Sequence, residues 1–512
     1  MSKKFNLMLS MVSVAALTAC GGGTGASHFD PPPARGTIVT GVLAGHVTSA
    51  EVDFGTGPKR ANIQALTGTA LCGVDVRYVL YITRDPSGQP ATASTAVLVP
   101  SASGASASAP AGACSGTRPV VMYAHGTTAL QSTNMADVGN NQEAALEMAM
   151  YAAQGFIVVM PNYLGYDKSS LHYHPYLNAE AQAVDVVDAL RAAKAHLASS
   201  GSATQPDSHL FLTGYSQGGF VSMAAHKIIE RDYSSEFKVT ASGDMSGPYN
   251  MRGMGDYSMG VLNNGTPQVI VGASIFFPLL STSYQKAYGN VYTAPSVIYA
   301  SPYAATIETI LPGNPTNVPT GTTSESTLSS LYEQQLITSQ ALPNDPTFSA
   351  VFGNPAGTNN LINLSYIATY PGSGFQTDLT TNTLSGGGWA PKAPVALCGG
   401  ALDETVPYAI NVPAMSAYLN SVGVTGAALT VFNLEDPTTV GLTINGAFEN
   451  AKTGYAQQAA AAYLAANPSA SQAVANAVAA QEMGAALHGT LEPPFCNVLT
   501  RSFFSSILAA GG

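Results

Sequence analysis

The chain has 512 residues, of which 46% are hydrophobic and 10% are charged, and its formal net charge is −11. So low a charged fraction excludes an acidic disordered chain, which combines low hydrophobicity with high charge density. The acidic balance also argues against nucleic-acid binding, which needs a clustered basic surface. The length allows roughly two or three domains, or one large α/β domain with an insertion.

The first 19 residues have the three parts of a bacterial lipoprotein signal peptide. Lys3 and Lys4 precede a short apolar stretch, residues 5–16, and Leu-Thr-Ala then stands directly before Cys20. We expect cleavage after Ala19 and lipidation of Cys20, which anchors a chain to a membrane without spanning it. An ordinary signal peptide cut at the same place, with an incidental cysteine, is the alternative.

Residues 20–45 are expected to be a tether between the lipid and the folded part, because residues 21–36 are rich first in Gly and then in Pro. Gly21, where an inner-membrane lipoprotein would carry Asp, implies sorting to the outer membrane. We therefore expect an exported, lipid-anchored protein on the periplasmic or surface face of that membrane. No other segment is predicted to span a membrane.

Four further cysteines would reach an oxidising compartment, where they can form disulfides. No C-x-x-C spacing occurs, so we do not expect a zinc site. Of the three possible pairings we favour Cys72 with Cys114, which brackets one short stretch, and Cys398 with Cys496. The second bond would join a strand end to a C-terminal loop. Free thiols remain the alternative.

The apolar patterns predict a mostly parallel sheet covered by helices on both faces. Residues 74–84 and 94–100 flank a turn and are expected to be antiparallel entry strands. Later buried runs alternate with helical patterns, as in α/β proteins. The predicted strands are 119–123, 156–160, 209–213, 238–242, 394–398 and 428–432, and the predicted helices are 142–154, 179–199, 216–230, 408–421, 450–466 and 468–487.

The alternation stops over residues 249–390, which are rich in Tyr, Gly, Pro, Asn and Thr. We interpret this stretch as a cap or lid domain inserted into the α/β core. The core then comprises residues 46–248 and 391–512.

The sequence Gly214-Tyr215-Ser216-Gln217-Gly218 matches the nucleophile elbow G-x-S-x-G. It follows a predicted strand and precedes a predicted helix, which is the context that the motif requires. Side chains at the two glycine positions would collide with the neighbouring strand and helix, and the serine is expected to have a strained backbone. Ser216 is therefore the candidate nucleophile.

In this fold the acid and the base follow the serine in the chain, in that order. Of the nine histidines, only His226 and His488 lie after Ser216. His226 is on the helix of the elbow itself and points away from the strand ends. His488, in a predicted late loop, is therefore the candidate general base.

The candidate acid is Asp403, which follows the predicted strand 394–398. Its task is to fix the imidazole tautomer and stabilise the imidazolium. Glu404 and Asp436 are the alternatives.

The loop after the strand 119–123 is the candidate oxyanion hole. The N–H groups of Gln217 and Thr127 are expected to bind the oxyanion, and Gly126 would allow close approach. His125 is expected to be a structural histidine. No metal ion or cofactor is predicted, because His172 and His174 lack a third ligand in a recognisable pattern.

An ordered set of motifs resembles bacterial α/β-hydrolase lipases and esterases of the secretory lipase type. The resemblance covers about residues 75–500 and implies an α/β-hydrolase fold with a cap, in which the nucleophile, acid and base correspond to Ser216, Asp403 and His488. The motifs are Y-A-H-G-T at 123–127, P-N-Y-L-G-Y at 161–166, H-P-Y-L at 174–177, G-Y-S-Q-G-G at 214–219, S-G-P at 246–248, D-x-x-V-P at 403–407 and H-G at 488–489. Gly399-Gly400 departs from the more usual His-Gly.

These observations predict a serine carboxylic-ester hydrolase that forms an acyl-enzyme on uncharged acyl or aromatic esters. The expected partners are a small-molecule ester or lipid substrate and, through the N-terminal lipid, a membrane; the oligomeric state stays open. A peptidase or a polyester depolymerase with the same triad is an alternative, and a catalytically inactive binding lipoprotein is the alternative of another class.

Overall fold

Runs of β-branched and apolar residues form the centre of the molecule, a twisted mixed sheet. The computed structural model describes residues 34–54, 64–263, 270–301, 303–309, 311–313 and 361–511. The predicted signal peptide, Cys20 and the first part of the tether lie outside these residues. Among the helices that are described, none is long and apolar enough to cross a membrane.

The described residues form a nine-stranded sheet in the order β1-β2-β3-β5-β4-β6-β7-β8-β9. The first four strands in this order pair antiparallel, and β5, β4, β6, β7, β8 and β9 pair parallel. The strands are β1 Ile38–Val47, β2 Gly73–Arg84, β3 Pro90–Ser101, β4 Gly116–Ala124, β5 Ile157–Pro161, β6 Thr204–Tyr215, β7 Val239–Met245, β8 Val395–Gly399 and β9 Leu429–Asn433. The predicted antiparallel entry strands and parallel core are confirmed.

Strand β1 corrects the predicted extent of the tether. Residues 38–45 belong to the sheet, because Ile38–Val47 pairs along β2. The prediction of a tether over 20–45 is therefore wrong for these residues. None of the ten residues of the strand is buried, so it lacks the alternating burial pattern from which a strand is recognised.

Helices cover both faces of the sheet, and their ends follow local capping signals. The third helix, for example, begins where the side chain of Asn178 accepts a hydrogen bond from the N–H of Ala181. The helices are α1 Ser49–Phe54, α2 Gln142–Met150, α3 Ala179–Ser199, α4 Gln217–Asp232, α5 Met251–Ser258, α6 Ala273–Tyr288, α7 Leu364–Thr369, α8 Gly374–Thr381, α9 Tyr408–Ser421, α10 Pro437–Val440, α11 Leu442–Ala466, α12 Gln472–Ala486 and α13 Glu492–Ala509.

The sheet passes directly from β7 to β8, although residues 249–390 lie between these strands in the chain. The described part of this segment contributes helices α5 to α8 and adds no strand to the sheet. Residues 264–269 and 314–360 of the predicted cap lie outside the described residues.

Both favoured disulfides form, Cys72–Cys114 and Cys398–Cys496. Cys398 is in β8, as expected, but Cys496 is on helix α13 and not in a loop. Disulfides persist in oxidising compartments, so the two bonds indicate an exported protein.

Candidate active site

The nucleophile elbow is a tight turn between β6 and α4. Ser216 has φ 60° and ψ −121°, and a positive φ is a strained backbone conformation for a residue with a side chain. A Cβ atom on Gly214 would lie 2.4 Å from the carbonyl oxygen of Gly218, and one on Gly218 would lie 1.8 Å from that of Ala124. Both glycines are therefore required by contact with backbone atoms.

Ser216, His488 and Asp403 form one hydrogen-bonded chain at the carboxyl ends of the parallel strands. His488 Nε2 lies 2.7 Å from Ser216 Oγ, and His488 Nδ1 lies 2.6 Å from Asp403 Oδ2. The other carboxylate oxygen of Asp403 accepts hydrogen bonds from the N–H groups of Thr405 and Val406, at 2.8 and 3.0 Å. All three residues are buried, with exposed fractions of 8% for Ser216, 6% for His488 and 5% for Asp403. This geometry is that of a nucleophile, a base and an orienting acid.

His488 does not lie in a loop, which corrects that part of the prediction. It belongs to a single π-helical turn, Leu487–Leu491, between α12 and α13. Such turns occur frequently at functional sites, because the extra residue redirects a side chain.

The other candidate residues lie elsewhere. Asp436 caps the N-terminus of α10 by accepting a hydrogen bond from the N–H of Thr438. The backbone carbonyl of Glu404 accepts a hydrogen bond from Val271. His226 is fully buried between Ser242 Oγ and a carboxylate on its own helix, at 3.0 and 3.1 Å.

The predicted oxyanion residues lie at the ends of β4 and β6. Gln217 is the first residue of α4, so its N–H has no acceptor within the helix. The N–H of Gly126 donates to Glu143 Oε1 at 2.9 Å, and Thr127 remains the predicted oxyanion donor of this loop. The N–H of Gly126 is therefore already engaged within the protein. A Cβ atom there would make only ordinary contacts of 3.7 Å or more with the protein.

The segment His174–Tyr176 contacts the side chains of both predicted oxyanion residues. Gln217 Nε2 lies 2.6 Å from His174 Nε2, and the hydroxyl groups of Thr127 and Tyr176 lie 2.7 Å apart. His174 Nδ1 donates to the carbonyl of Leu164, so its Nε2 is the acceptor. Burial lowers the pKa of His174 to about 3, which keeps the ring neutral. The H-P-Y-L motif marked this segment, but its contact with the oxyanion residues could not be inferred.

His125 is a structural histidine, as expected. Its Nδ1 lies 2.7 Å from the carbonyl oxygen of Gly126, and its ring stacks on Tyr163 with centroids 4.2 Å apart.

Glu492 is a residue of the site that the sequence did not indicate. It is fully buried, and its carboxyl group lies close to Asp403 and His488, with potential ligand atoms within 4.8 Å of one another. Three acidic or imidazole groups at this distance could hold a metal ion. Both nitrogens of His488 already have partners in Ser216 and Asp403, however, so the donor set fits a triad better than a metal site.

An apolar pocket with an empty volume of about 760 Å³ opens at Ser216 and Gln217. Its walls come mainly from helices α5, α6 and α8, and all the described residues that line it are uncharged. The apolar wall consists of Met251, Met254, Met259, Ile270, Phe276, Phe277, Leu280, Phe375 and Leu379.

Known proteins with the α/β-hydrolase fold are similar to this chain. A model of the prolyl oligopeptidase family matches residues 142–259, which include Ser216. The rice cell wall degrading esterase LipA from Xanthomonas oryzae has a TM-score of 0.61 and 27% identity, over 80% of this chain and 95% of LipA. A structure described as a hydrolase from Legionella pneumophila has a TM-score of 0.55 and 22% identity, over 77% of this chain and 91% of that one. No curated protein sequence matches the chain.

The sheet order, the elbow and these similarities show that the chain has the α/β-hydrolase fold and is a serine hydrolase.

Proposed function

We propose that the protein is a serine carboxylic-ester hydrolase that acts through an acyl-enzyme. The observation that carries this proposal is the hydrogen-bonded chain from Asp403 through His488 to Ser216, which ends at an apolar pocket. The similarity to an esterase over most of both chains supports ester chemistry.

In the proposed reaction Ser216 Oγ attacks the ester carbonyl carbon while His488 Nε2 takes the hydroxyl proton. His488 then gives this proton to the leaving alcohol, and a water activated by the same nitrogen releases the acid. Asp403 remains ionised, holds Nδ1–H and stabilises the imidazolium.

The N–H groups of Gln217 and Thr127 would bind the oxyanion of the tetrahedral intermediate. Gln217 is the first residue of α4, and Thr127 lies in the loop three residues after β4 ends at Ala124. Each such donor contributes about 3 kcal/mol to transition-state stabilisation.

We propose an uncharged acyl or aromatic group as the occupant of the pocket. No charged side chain lies among the described residues of its lining, and three methionines and three phenylalanines provide an adaptable apolar wall.

The peptidase alternative is favoured by one observation, the match of residues 142–259 to the prolyl oligopeptidase family. A matched pair of substrates with the same acyl group, a nitrophenyl ester and a nitroanilide, separates the two. We expect turnover of the ester and little of the anilide. Turnover of an insoluble polyester film would favour the depolymerase alternative.

The proposed location is a membrane surface, through a lipid on Cys20. We expect Cys20→Ala to abolish incorporation of labelled palmitate and to release the protein from the membrane fraction. Incorporation of labelled palmitate into the variant would contradict lipidation at Cys20.

The test of the proposed activity is hydrolysis of nitrophenyl esters from acetate to palmitate by the wild type, Ser216→Ala and His488→Ala. We expect both variants to lose activity by at least about 1,000-fold. Ser208→Ala and His209→Ala are the matched controls. These residues lie in the amino-terminal half of β6, far from the elbow, and the variants should retain activity. Full activity in either triad variant would refute the assignment, and failure of a fluorophosphonate to label folded wild type would favour an inactive binding protein.

A further inference from the structure

The buried carboxyl group of Glu492 joins the segments that carry the triad. Its Oε2 accepts hydrogen bonds from the Ser246 hydroxyl at 2.9 Å, the Gly400 N–H at 3.2 Å and the Tyr215 hydroxyl at 3.3 Å. Tyr215 directly precedes the nucleophile, and Gly400 begins the loop that carries Asp403. Glu492 itself begins α13, four residues after His488 in the chain.

The carboxyl group of Glu492 packs closely against the acid loop. A Cβ atom on Gly400 would lie 2.3 Å from Glu492 Oε1, so the carboxyl occupies the space that a side chain would need there. One turn further along α13, Cys496 is bonded to Cys398 at the end of β8. The helix that carries Glu492 is therefore fixed covalently to the strand that precedes the acid loop.

We propose that Glu492 is a positioning residue of this site, whose buried carboxyl group holds the nucleophile turn, the acid loop and the His488 turn in register. The inference rests on the proposed function, since it assigns a role in the same triad. Glu492 acts through its neighbours, because its hydrogen bonds go to Tyr215, Ser246 and Gly400 and not to the reacting atoms.

The surroundings favour the protonated form of Glu492. Burial raises its pKa well above the usual range and the charge of Asp403 raises it further, whereas the hydrogen bonds from Ser246 and Gly400 lower it by less. Glu435 is a second acidic group that raises the pKa of Glu492. Lys452 forms ion pairs with Glu435 and Glu449. Among the described residues, no Lys, Arg or His forms an ion pair with Glu492.

An uncharged Glu492 matters for the base. A second anion within about 5 Å of the triad would favour protonated His488 and move the acid limb of the kcat/KM profile to higher pH. With an effective dielectric constant of about 20, this movement would be about 2 pH units. A neutral carboxyl provides the three hydrogen bonds without this effect.

The experiment compares Glu492→Gln, which mimics the neutral carboxyl, with Glu492→Leu, which leaves three donors without an acceptor. Two readouts are taken as functions of pH: kcat/KM on a nitrophenyl ester and the rate of fluorophosphonate labelling of Ser216. Glu147→Gln is the matched control, because Glu147 is also fully buried and contacts α13 through Asn497, away from the triad.

We expect Glu492→Gln to keep kcat within about threefold of the wild type and the acid limb within about 0.3 pH units. Glu492→Leu should lower kcat and the labelling rate by about tenfold to a hundredfold, with a smaller change in KM. Movement of the acid limb to lower pH by one unit or more in Glu492→Gln would show an ionised group and overturn the proposal. Wild-type activity of Glu492→Leu would overturn it too.

Two further observations keep the result interpretable. If the wild type is labelled at Ser216 but hydrolyses no ester, the proposed function fails, and the labelling rates still test Glu492. If Glu492→Leu does not fold, Gly400→Ala is used in its place. We expect Gly400→Ala to lower kcat in the wild-type background, and to lower kcat less in a background that carries Glu492→Ala. An equal loss in both backgrounds would refute the contact.

Discussion

The two disulfides should differ in their effect on activity although both stabilise the fold. Their loops span 98 residues for Cys398–Cys496 and 42 residues for Cys72–Cys114. Loop-closure entropy gives about 4.7 kcal/mol for the longer loop and about 3.9 kcal/mol for the shorter one. For a chain of this size, 1 kcal/mol corresponds to about 1 °C in Tm. Paired Cys→Ser changes should therefore lower Tm by about 4–5 °C at either bond.

Activity should separate the two pairs, because only one bond adjoins the triad. Cys398 is two residues before Gly400, and Cys496 is four residues after Glu492 on α13. Cys114 instead precedes the amino end of β4, whereas the site lies at the carboxyl ends of the strands. Loosening the acid loop by about 1 Å costs up to about 100-fold in rate. We expect kcat to fall at least about tenfold for the 398/496 pair.

The assay measures kcat on a nitrophenyl ester at a temperature at least 15 °C below the Tm of both variants, where each is folded by circular dichroism. The 72/114 pair is the control, because it carries a similar loss of stability without contact to the site. Equal kcat values for the two double variants would refute the reasoning that the 398/496 bond positions the triad.

Three further predictions concern single residues. Burial lowers the pKa of His174 to about 3. Below pH 6.5 the unfolded chain therefore binds a proton at this histidine that the native ring does not bind. Between pH 7 and 5 this difference in proton binding lowers the free energy of unfolding by about 2 kcal/mol. Urea titration of His174→Gln should show a pH dependence smaller by this amount. Asp403→Asn should lower kcat by about 10⁴-fold through the wrong imidazole tautomer, whereas Asp436→Asn, a helix cap, should leave kcat unchanged. Gly218→Ala should abolish soluble expression or activity, because its Cβ would lie 1.8 Å from a carbonyl oxygen. Gly446→Ala, in a helix with open space around it, should raise stability by about 0.5–1 kcal/mol, and a loss there would contradict the contact argument.

Elements with strong local signals could be predicted from the sequence almost to the residue. Helices α3 and α9 begin and end at the predicted positions, 179–199 and 408–421. Strand β1 could not, because its hydrogen bonds come from pairing with β2 and its side chains remain largely exposed. A strand at a sheet edge needs no regular burial pattern, so the period on which sequence interpretation depends is absent.

The candidate triad could be predicted because chain order limits the choice. A single histidine after Ser216 lies outside the elbow helix, and only two predicted strands after the insertion are followed by acids, which leaves Asp403, Glu404 and Asp436 as the choices. The π-helical turn around His488 could not be predicted, since it results from the junction of α12 and α13 and has no residue pattern of its own. Residue identity was therefore accessible while local conformation was not.

Glu492 illustrates a limit with a physical cause. A glutamate that precedes two prolines at the start of a helix is typical of an exposed first turn, where a negative charge is favourable. Its burial depends on donors from Tyr215, Ser246 and Gly400, which are 277, 246 and 92 residues away in the chain. The one local sign is Gly400. Its backbone conformation does not require glycine, but the absence of a side chain leaves the space that the Glu492 carboxyl group fills. Gly400 has no positive φ, so backbone freedom does not explain why a glycine stands there. The Glu492 carboxyl group, which occupies the place of a side chain, does.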